Sequence, residues 1–367
     1  MERVRSLPLK PIALSAAIVL AVVLFSAIFD ISLMAGVVNG LQFGAVYALV
    51  GLGIALVYKS TKVMNFAQGE IGTMSAWLAW VVMAGAFGEV LALDYEGLDA
   101  LDAGATGPGK MLIATVIAVL FGAGLSILVN SAVVQRVANA SPVTSLVATV
   151  GIMLLMVSIQ LIVFEPKLRN FPRFIDGAPP ALDVGPLCMG TNPDGVCGGV
   201  LALGGIPIQW NTILVVLVLA GAASALGIFF RTPFGVALLA TAQDPFAAEI
   251  QGVSVQTMGA MAWGMAGALA AIGGILGAGV FEKVGPGLMT TTFLIPALVA
   301  AVLGGVTSMP GAVVGGLILG VTVSFANETV LAMNLTSTVP GPPQVATFAV
   351  LVIVLIFRPK GLFGKEA

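Results

Sequence analysis

The sequence contains no histidine. This absence excludes mechanisms in which an imidazole moves a proton, such as the Ser-His-Asp triad and the Cys-His pair. It also excludes zinc sites with imidazole ligands, including the HExxH site of metalloproteases. Hydrolytic enzymes of these classes are therefore set aside.

Charged residues are also scarce, at 9% of the chain, whereas soluble proteins carry about 25%. Apolar residues make up 59% and the mean hydropathy is +1.09. The 15 Lys and Arg are scattered and the net charge is -2, so no basic surface is available for nucleic-acid phosphates. The composition predicts an integral membrane protein that binds no nucleic acid.

Cysteine occurs only twice, at Cys188 and Cys197, within one polar stretch rich in Gly and Pro. In an oxidising compartment this pair could close a small disulfide loop. The alternative is two free thiols. Either way the predicted role is structural.

Long apolar runs are the main positive feature. A bilayer core about 30 Å thick needs about 20 residues of helix, and ten such runs predict one all-α, polytopic transmembrane domain over residues 1–367. The first run follows a basic leader and is interpreted as an uncleaved anchor rather than a signal peptide. If the eighth and ninth runs, which Gly and Pro interrupt, are re-entrant, the count falls to eight. The predicted spans are residues 11–29, 34–58, 71–87, 111–134, 144–164, 211–230, 256–280, 289–303, 311–331 and 345–357.

The distribution of basic residues predicts the orientation. With the N-terminus inside, ten of the 15 Lys and Arg fall on the cytoplasmic side, as the positive-inside rule requires. Both termini are therefore predicted to be cytoplasmic. The long loops at residues 88–110 and 165–210 are predicted to face outward.

Glycines recur at four-residue spacing within the spans, at Gly36, Gly40 and Gly44 and again at Gly273 and Gly277. Small residues let helix backbones approach closely in lipid. This spacing is interpreted as helix packing rather than as a binding site.

A match to the phosphate-binding motif GxxxxGK is dismissed. Residues 104–110 read GATGPGK, but Met111 stands where the motif needs Ser or Thr, and no strand precedes it. The chain is therefore not expected to hydrolyse ATP itself.

The polar segment at residues 65–70, NFAQGE, is the most unusual feature of the apolar part. Asn65, Gln68 and Glu70 place two amides and a carboxylate at the start of the third predicted span. Polar groups at membrane depth usually line a solute path or contact a partner helix. The alternative is a cytoplasmic turn whose Glu70 caps the helix N-terminus.

A second polar stretch covers residues 231–252 on the predicted cytoplasmic side. Its pattern predicts two short amphipathic helices, with Asp244-Pro245 opening the second. Such a loop can dock a soluble partner. The alternative is an ordinary interfacial helix.

Four ordered motifs resemble the permease subunits of branched-chain amino-acid ABC transporters, the LivH/LivM type, which includes urea and amide permeases. The resemblance covers residues 37–363. Where the family usually has NFAHGE, this chain has Gln68 in place of histidine. The motifs are GAVYALVGLGIALVYKSTKVMNFAQGE, RTPFGVALLATAQDPFAAEIQGV, ALVAAVLGGVTSMPGAVVGG and FRPKGLFG.

The resemblance implies a transport subunit of the bacterial inner membrane and not an enzyme. It implies two ABC ATPase subunits that hold ATP and Mg²⁺, a second permease subunit, identical or homologous, and an extracytoplasmic solute-binding protein. No cofactor is expected in this chain. The stretch at residues 231–253 looks like the coupling loop that seats on the ATPase, with Phe246 where the family pattern has Glu. The implied coupling residues are Arg231, Asp244, Pro245, Ala247, Ala248 and Gly252.

The solute stays open among branched-chain amino acids, urea, amides and organic acids. The main alternative is a secondary transporter driven by an ion gradient, which interrupted spans would suit. Almost no charge lies within the predicted spans, and this argues against an ion-coupled site and against an intramembrane enzyme.

Overall fold

The structure is a computed structural model. The predicted first span and both cysteines lie outside its described residues, so these predictions stay as they are. The described residues are 33–100, 107–137, 141–174, 200–203, 206–335, 339–358 and 361–363.

The described part is almost entirely helical, which confirms the all-α fold class. A π-helix at Thr290–Leu294 directly precedes the eleventh α-helix. In chain order the α-helices are α1 (Leu33–Thr61), α2 (Gln68–Ala84), α3 (Phe87–Ala92), α4 (Tyr95–Ala100), α5 (Pro108–Ala132), α6 (Pro142–Phe164), α7 (Trp210–Phe229), α8 (Pro233–Gln243), α9 (Pro245–Ile250), α10 (Val255–Phe281), α11 (Ile295–Gly304), α12 (Met309–Ala332) and α13 (Pro342–Phe357).

Two short antiparallel strand pairs lie in the loops. β1 (Arg169–Asn170) follows α6 and pairs with β4 (Lys283–Val284), which follows α10. β2 (Val200–Leu203) pairs with β3 (Ile206–Gln209) directly before α7. The first pair joins the ends of two helices that are far apart in the sequence.

Each of the nine predicted spans after residue 33 corresponds to a helix, but not all are full length. Among the described residues, six helices are long and apolar enough to cross a membrane: α1, α5, α6, α7, α10 and α12. The π-helix and α11 together cover Thr290–Gly304, which at 1.5 Å per residue is about 22 Å and less than the bilayer core. α2 has 17 residues and α13 has 16. Of the two interrupted runs, the eighth is thus a short helix, whereas the ninth forms the long helix α12.

Burial separates inner helices from outer ones. The apolar window of α1 is 89% buried and that of α10 is 72% buried, whereas the values for α6 and α7 are 17% and 22%. α1 contacts α7, α10, α11 and α12. It is therefore the central helix, and α6 and α7 present most of their apolar surface outward, as helices facing lipid do.

Glycines make the contact between α1 and α12 very close, which confirms their predicted packing role. A Cβ atom on Gly40 would lie 2.5 Å from the Val321 Cα, and one on Gly44 would lie 2.8 Å from the Gly316 carbonyl oxygen. Real Cβ atoms do not approach backbone this closely, so only glycine fits at these two positions.

We expect Gly40→Leu to lower the free energy of unfolding by about 3 kcal/mol, because the added side chain forces the two backbones apart. The measurement is thermal unfolding in detergent. Gly221→Leu is the matched control, since no atom lies within 4 Å of a Cβ at that helical glycine of α7. Equal stability of the two variants would contradict the close crossing.

Candidate functional site

The polar segment NFAQGE lies inside the bundle. α2 begins at Gln68, three residues before the predicted span, so both Gln68 and Glu70 belong to the helix. Asn65 is 2% exposed, and Gln68 and Glu70 are fully buried. This burial argues against the alternative of a cytoplasmic turn, although Glu70 does lie at the N-terminal end of the helix, as that alternative held. Glu70 belongs to the helix because the helix starts earlier than hydropathy indicated.

Hydrogen bonds place this segment deep in the bundle. The Gln68 amide Nε2 donates to the Ala266 carbonyl oxygen at 2.8 Å, and Asn65 Nδ2 donates to Gln68 Oε1 at 3.1 Å. Ala266 is eleven residues beyond the start of α10 at Val255, which is about 16 Å along the helix. Gly53 of α1 makes room, since a Cβ there would lie 3.2 Å from Gln68 Cδ.

Glu70 is held by an amide that the sequence analysis missed. Gln160 of α6 donates from Nε2 to Glu70 Oε2 at 2.6 Å, and its side chain is 1% exposed. The carboxylate also lies in the first turn of α2, where the helix dipole favours negative charge. The sequence signal that could have indicated this contact is a lone glutamine within the apolar run of α6.

A cavity of about 600 Å³ opens between α1, α11, α12 and α13. Its wall is mostly apolar and aromatic, and Tyr47 packs against Phe293 of the π-helix with ring centroids 5.8 Å apart. Asn65, Gln68 and Glu70 are not among its lining residues. No local sequence pattern marks this cavity, because its walls come from five separate stretches of the chain. Its polar lining residues are Asn39, Thr291, Thr292, Ser324, Asn327, Glu328, Gln344 and Thr347.

Glu328 of α12 is the one charged side chain among the residues that line this cavity. The others are apolar, aromatic, amide or hydroxyl residues. A solute entering here meets a negative charge, neutral hydrogen-bonding groups and a large apolar surface. The lining therefore favours a solute with a protonated amine over one that carries only negative charge.

The second polar stretch forms the two predicted helices, α8 and α9. Asp244 caps α9 by accepting a hydrogen bond from the Ala247 backbone N–H at 3.0 Å, and Pro245 occupies the first turn. Thr232 caps α8 in the same way, accepting from the Gly235 N–H at 3.3 Å. The predicted opening of the second helix at Asp244-Pro245 is confirmed.

The predicted coupling residues divide between the surface and the interior. Arg231 and Ala247 are exposed, whereas Ala248 is 5% exposed and packs inward. Gly252 is exposed and adopts a φ of +81°, a conformation that glycine allows at little cost. The Phe246 side chain, where the family pattern has Glu, is 73% exposed.

The amino-acid sequence is similar to membrane transport proteins. The family described as "Branched-chain amino acid transport system / permease component" matches residues 36–357. The permease protein BraD of Pseudomonas aeruginosa is 25% identical over 89% of this chain and 94% of its own length. LivH of Escherichia coli K12 is 26% identical over the same shares. A probable LivH of Methanocaldococcus jannaschii is 25% identical over 87% of this chain and 88% of its own length.

The match covers the helices that form the cavity, the buried polar segment and the α8–α9 loop. The alignments to BraD and to LivH of Escherichia coli each cover 94% of the relative. We conclude that this chain belongs to the family of permease components of branched-chain amino acid transport systems.

Proposed function

We propose that this chain, as a single membrane domain, imports branched-chain amino acids or a related small polar solute in an ATP-driven ABC transporter. The observation that carries the proposal is the family match across residues 36–357. It supports ATP-driven import and not the alternative of an ion-gradient transporter. The apolar cavity with a single carboxylate suits an amino acid or amide better than an organic acid.

Vesicles that contain the assembled transporter are expected to take up leucine only when ATP is supplied. Orthovanadate should stop uptake, because it traps ABC ATPases, and a protonophore should leave it unchanged. The measurement is uptake of labelled leucine, with urea and acetamide as competitors. Uptake that survives vanadate and stops with the protonophore would support the ion-gradient alternative.

The proposed partners are two ABC ATPase subunits that bind ATP and Mg²⁺, a second permease subunit and an extracytoplasmic solute-binding protein. The chain is a multi-pass inner-membrane protein, and we propose that both termini are cytoplasmic. We also propose that Cys188 and Cys197 can form a disulfide. Their loop is predicted to face outward, where an oxidising compartment would favour the bond.

We assign ATPase docking to the α8–α9 loop. Phe246 and Ile250 are 73% and 71% exposed and lie four residues apart on α9, so they share one face of the helix. Exposed apolar groups in a polar loop mark interaction sites. The caps at Thr232 and Asp244 support a rigid loop, which suits a part that transmits movement.

Phe246→Asp is expected to weaken ATPase binding at least tenfold, since a buried aromatic contact at an interface is commonly worth 2 kcal/mol or more, about thirtyfold. The measurement is recovery of the ATPase with the purified permease. Leu91→Asp is the control, because Leu91 is 86% exposed but lies in the loop predicted to face outward. Unchanged recovery with Phe246→Asp would remove the docking assignment.

We propose that the solute route begins in the cavity and continues past the buried polar segment. Asn65, Gln68 and Glu70 are then the deeper path-lining groups, exposed to solute when the transporter changes conformation. This assignment is supported by a general rule: burying a polar group at membrane depth costs free energy, and such groups usually line a transport path. Leu294 links the two regions, since it lies in the π-helix of the cavity wall and borders Gly69 of the polar segment.

For this route, Glu328→Gln should raise the KM for leucine about tenfold, because a charge-assisted hydrogen bond to the amine is lost. Gln68→Ala should reduce the maximal uptake rate. Glu89→Gln is the control, since Glu89 is an acidic residue outside the cavity. Normal kinetics in both route variants would exclude the route.

A further inference from the structure

Gln160 is a buried amide on α6, a helix that presents most of its apolar surface outward. Only 17% of the apolar window of α6 is buried, whereas the Gln160 side chain is 1% exposed. An amide at membrane depth costs free energy unless its N–H and C=O groups are hydrogen-bonded. The partners of Gln160 therefore indicate what it does.

Both ends of this amide are used, and each contacts a different element. Nε2 donates to Glu70 at the start of α2, while Oε1 accepts from the Gly287 backbone N–H at 3.4 Å. A second hydrogen bond joins the same two regions, from the Met289 N–H to Thr73 Oγ1 at 3.2 Å. The loop before the π-helix is thus attached to the first two turns of α2.

Gly287 extends this attachment to the cavity wall. Its φ is +72°, and its carbonyl oxygen accepts from the Thr291 N–H at 2.9 Å and from Thr291 Oγ1 at 2.9 Å. Thr291 is a cavity residue and belongs to the π-helix, an uncommon conformation that often occurs at functional sites. A continuous chain of contacts therefore runs from Glu70 through Gln160 and Gly287 to the cavity.

Close packing strengthens this arrangement. A Cβ on Gly69 would lie 2.8 Å from Thr290 Oγ1 and 3.3 Å from the Thr290 Cα. The first turn of α2 therefore touches the first residue of the π-helix. Two short helices begin beside each other within the bundle, with the Glu70 carboxylate between them and Gln160.

We infer that Gln160 is a positioning residue: anchored by Glu70, it holds Gly287 and so determines where the π-helix presents Thr291 to the solute. The inference rests on the proposed function, because it assumes that the cavity is the solute route. Gln160 does not line the cavity, so it acts through the loop and not by touching solute. The anchoring contact is short, with 2.6 Å between Gln160 Nε2 and Glu70 Oε2.

Exchanging the two side chains tests this inference. Gln160→Glu places two carboxylates against each other and should reduce leucine uptake at least about tenfold. The double variant E70Q/Q160E restores the contact, because the new glutamine donates to the new glutamate and the glutamate still accepts from the Gly287 N–H. Glu70 is itself assigned to the solute path, so the recovery in this variant is measured at the cavity wall and not by uptake. Membrane levels of each variant are measured alongside.

A second experiment measures the accessibility of residues in the cavity wall and does not require transport. Thr291→Cys and Ser324→Cys are labelled with a small thiol reagent in a Cys188→Ser, Cys197→Ser background. Gln160→Glu should change the labelling rate at position 291, and the exchanged pair should restore it. Position 324 lies on α12 across the cavity, so its rate should stay constant.

Three results would overturn the inference. They are normal uptake with Gln160→Glu, no recovery of the labelling rate at position 291 in the exchanged pair at a normal membrane level, and parallel labelling changes at both cysteines, which would indicate general loosening. Absence of ATP-dependent uptake by the unmodified transporter would instead contradict the proposed function, and the labelling comparison would still decide the role of Gln160.

Discussion

The close approach of helix backbones is the constraint on which the rest of this bundle depends. Helices already in lipid gain little hydrophobic free energy from associating, so contact between backbones and internal hydrogen bonds must hold them together. Gly40 and Gly44 bring α1 against α12, and Gly72 brings α2 against α10, where a Cβ would lie 2.8 Å from the Ala270 carbonyl oxygen. The long helices thereby enclose two short ones that do not match the bilayer thickness.

Enclosing short helices brings polar groups into the interior, and each then needs a partner there. Gln68 reaches the α10 backbone because Gly53 leaves space beside it. Glu70 is buried with the Gln160 amide and the positive end of α2. Because a buried polar group without a partner costs free energy, these partners are as much a requirement of the fold as the glycines are.

α10 connects the three regions to which function is assigned. It follows the α8–α9 loop directly, accepts the Gln68 hydrogen bond at Ala266 and contributes Phe281 to the cavity wall. A displacement of the loop by an ATPase would therefore be applied to the helix that contacts both the buried polar segment and the cavity. If the proposed function holds, α10 would connect the docking loop physically to the cavity.

Sequence reasoning was most successful where the signal is local. Hydropathy located nine helices to within a few residues, and Asp244-Pro245 predicted the start of α9, because an N-cap and a first-turn proline act within one turn. It failed at the start of α2, because the apolar run begins after Glu70 whereas the helix already begins at Gln68. The short length of the π-helix and α11, Thr290–Gly304, agrees with the predicted run at residues 289–303, which the interrupting Gly and Pro allowed to be re-entrant.

By itself, then, the sequence determined a polytopic helical membrane protein, its close glycine packing and two polar interruptions. Tertiary structure alone decided that Asn65, Gln68 and Glu70 are buried, that Gln160 is the partner of Glu70, and that a cavity with one carboxylate lies between α1, α11, α12 and α13. The reason is separation along the chain: Glu70 and Gln160 are 90 residues apart, and Gln160 and Gly287 are 127 apart. No local pattern records such contacts, because they arise only when glycines allow the helices to meet.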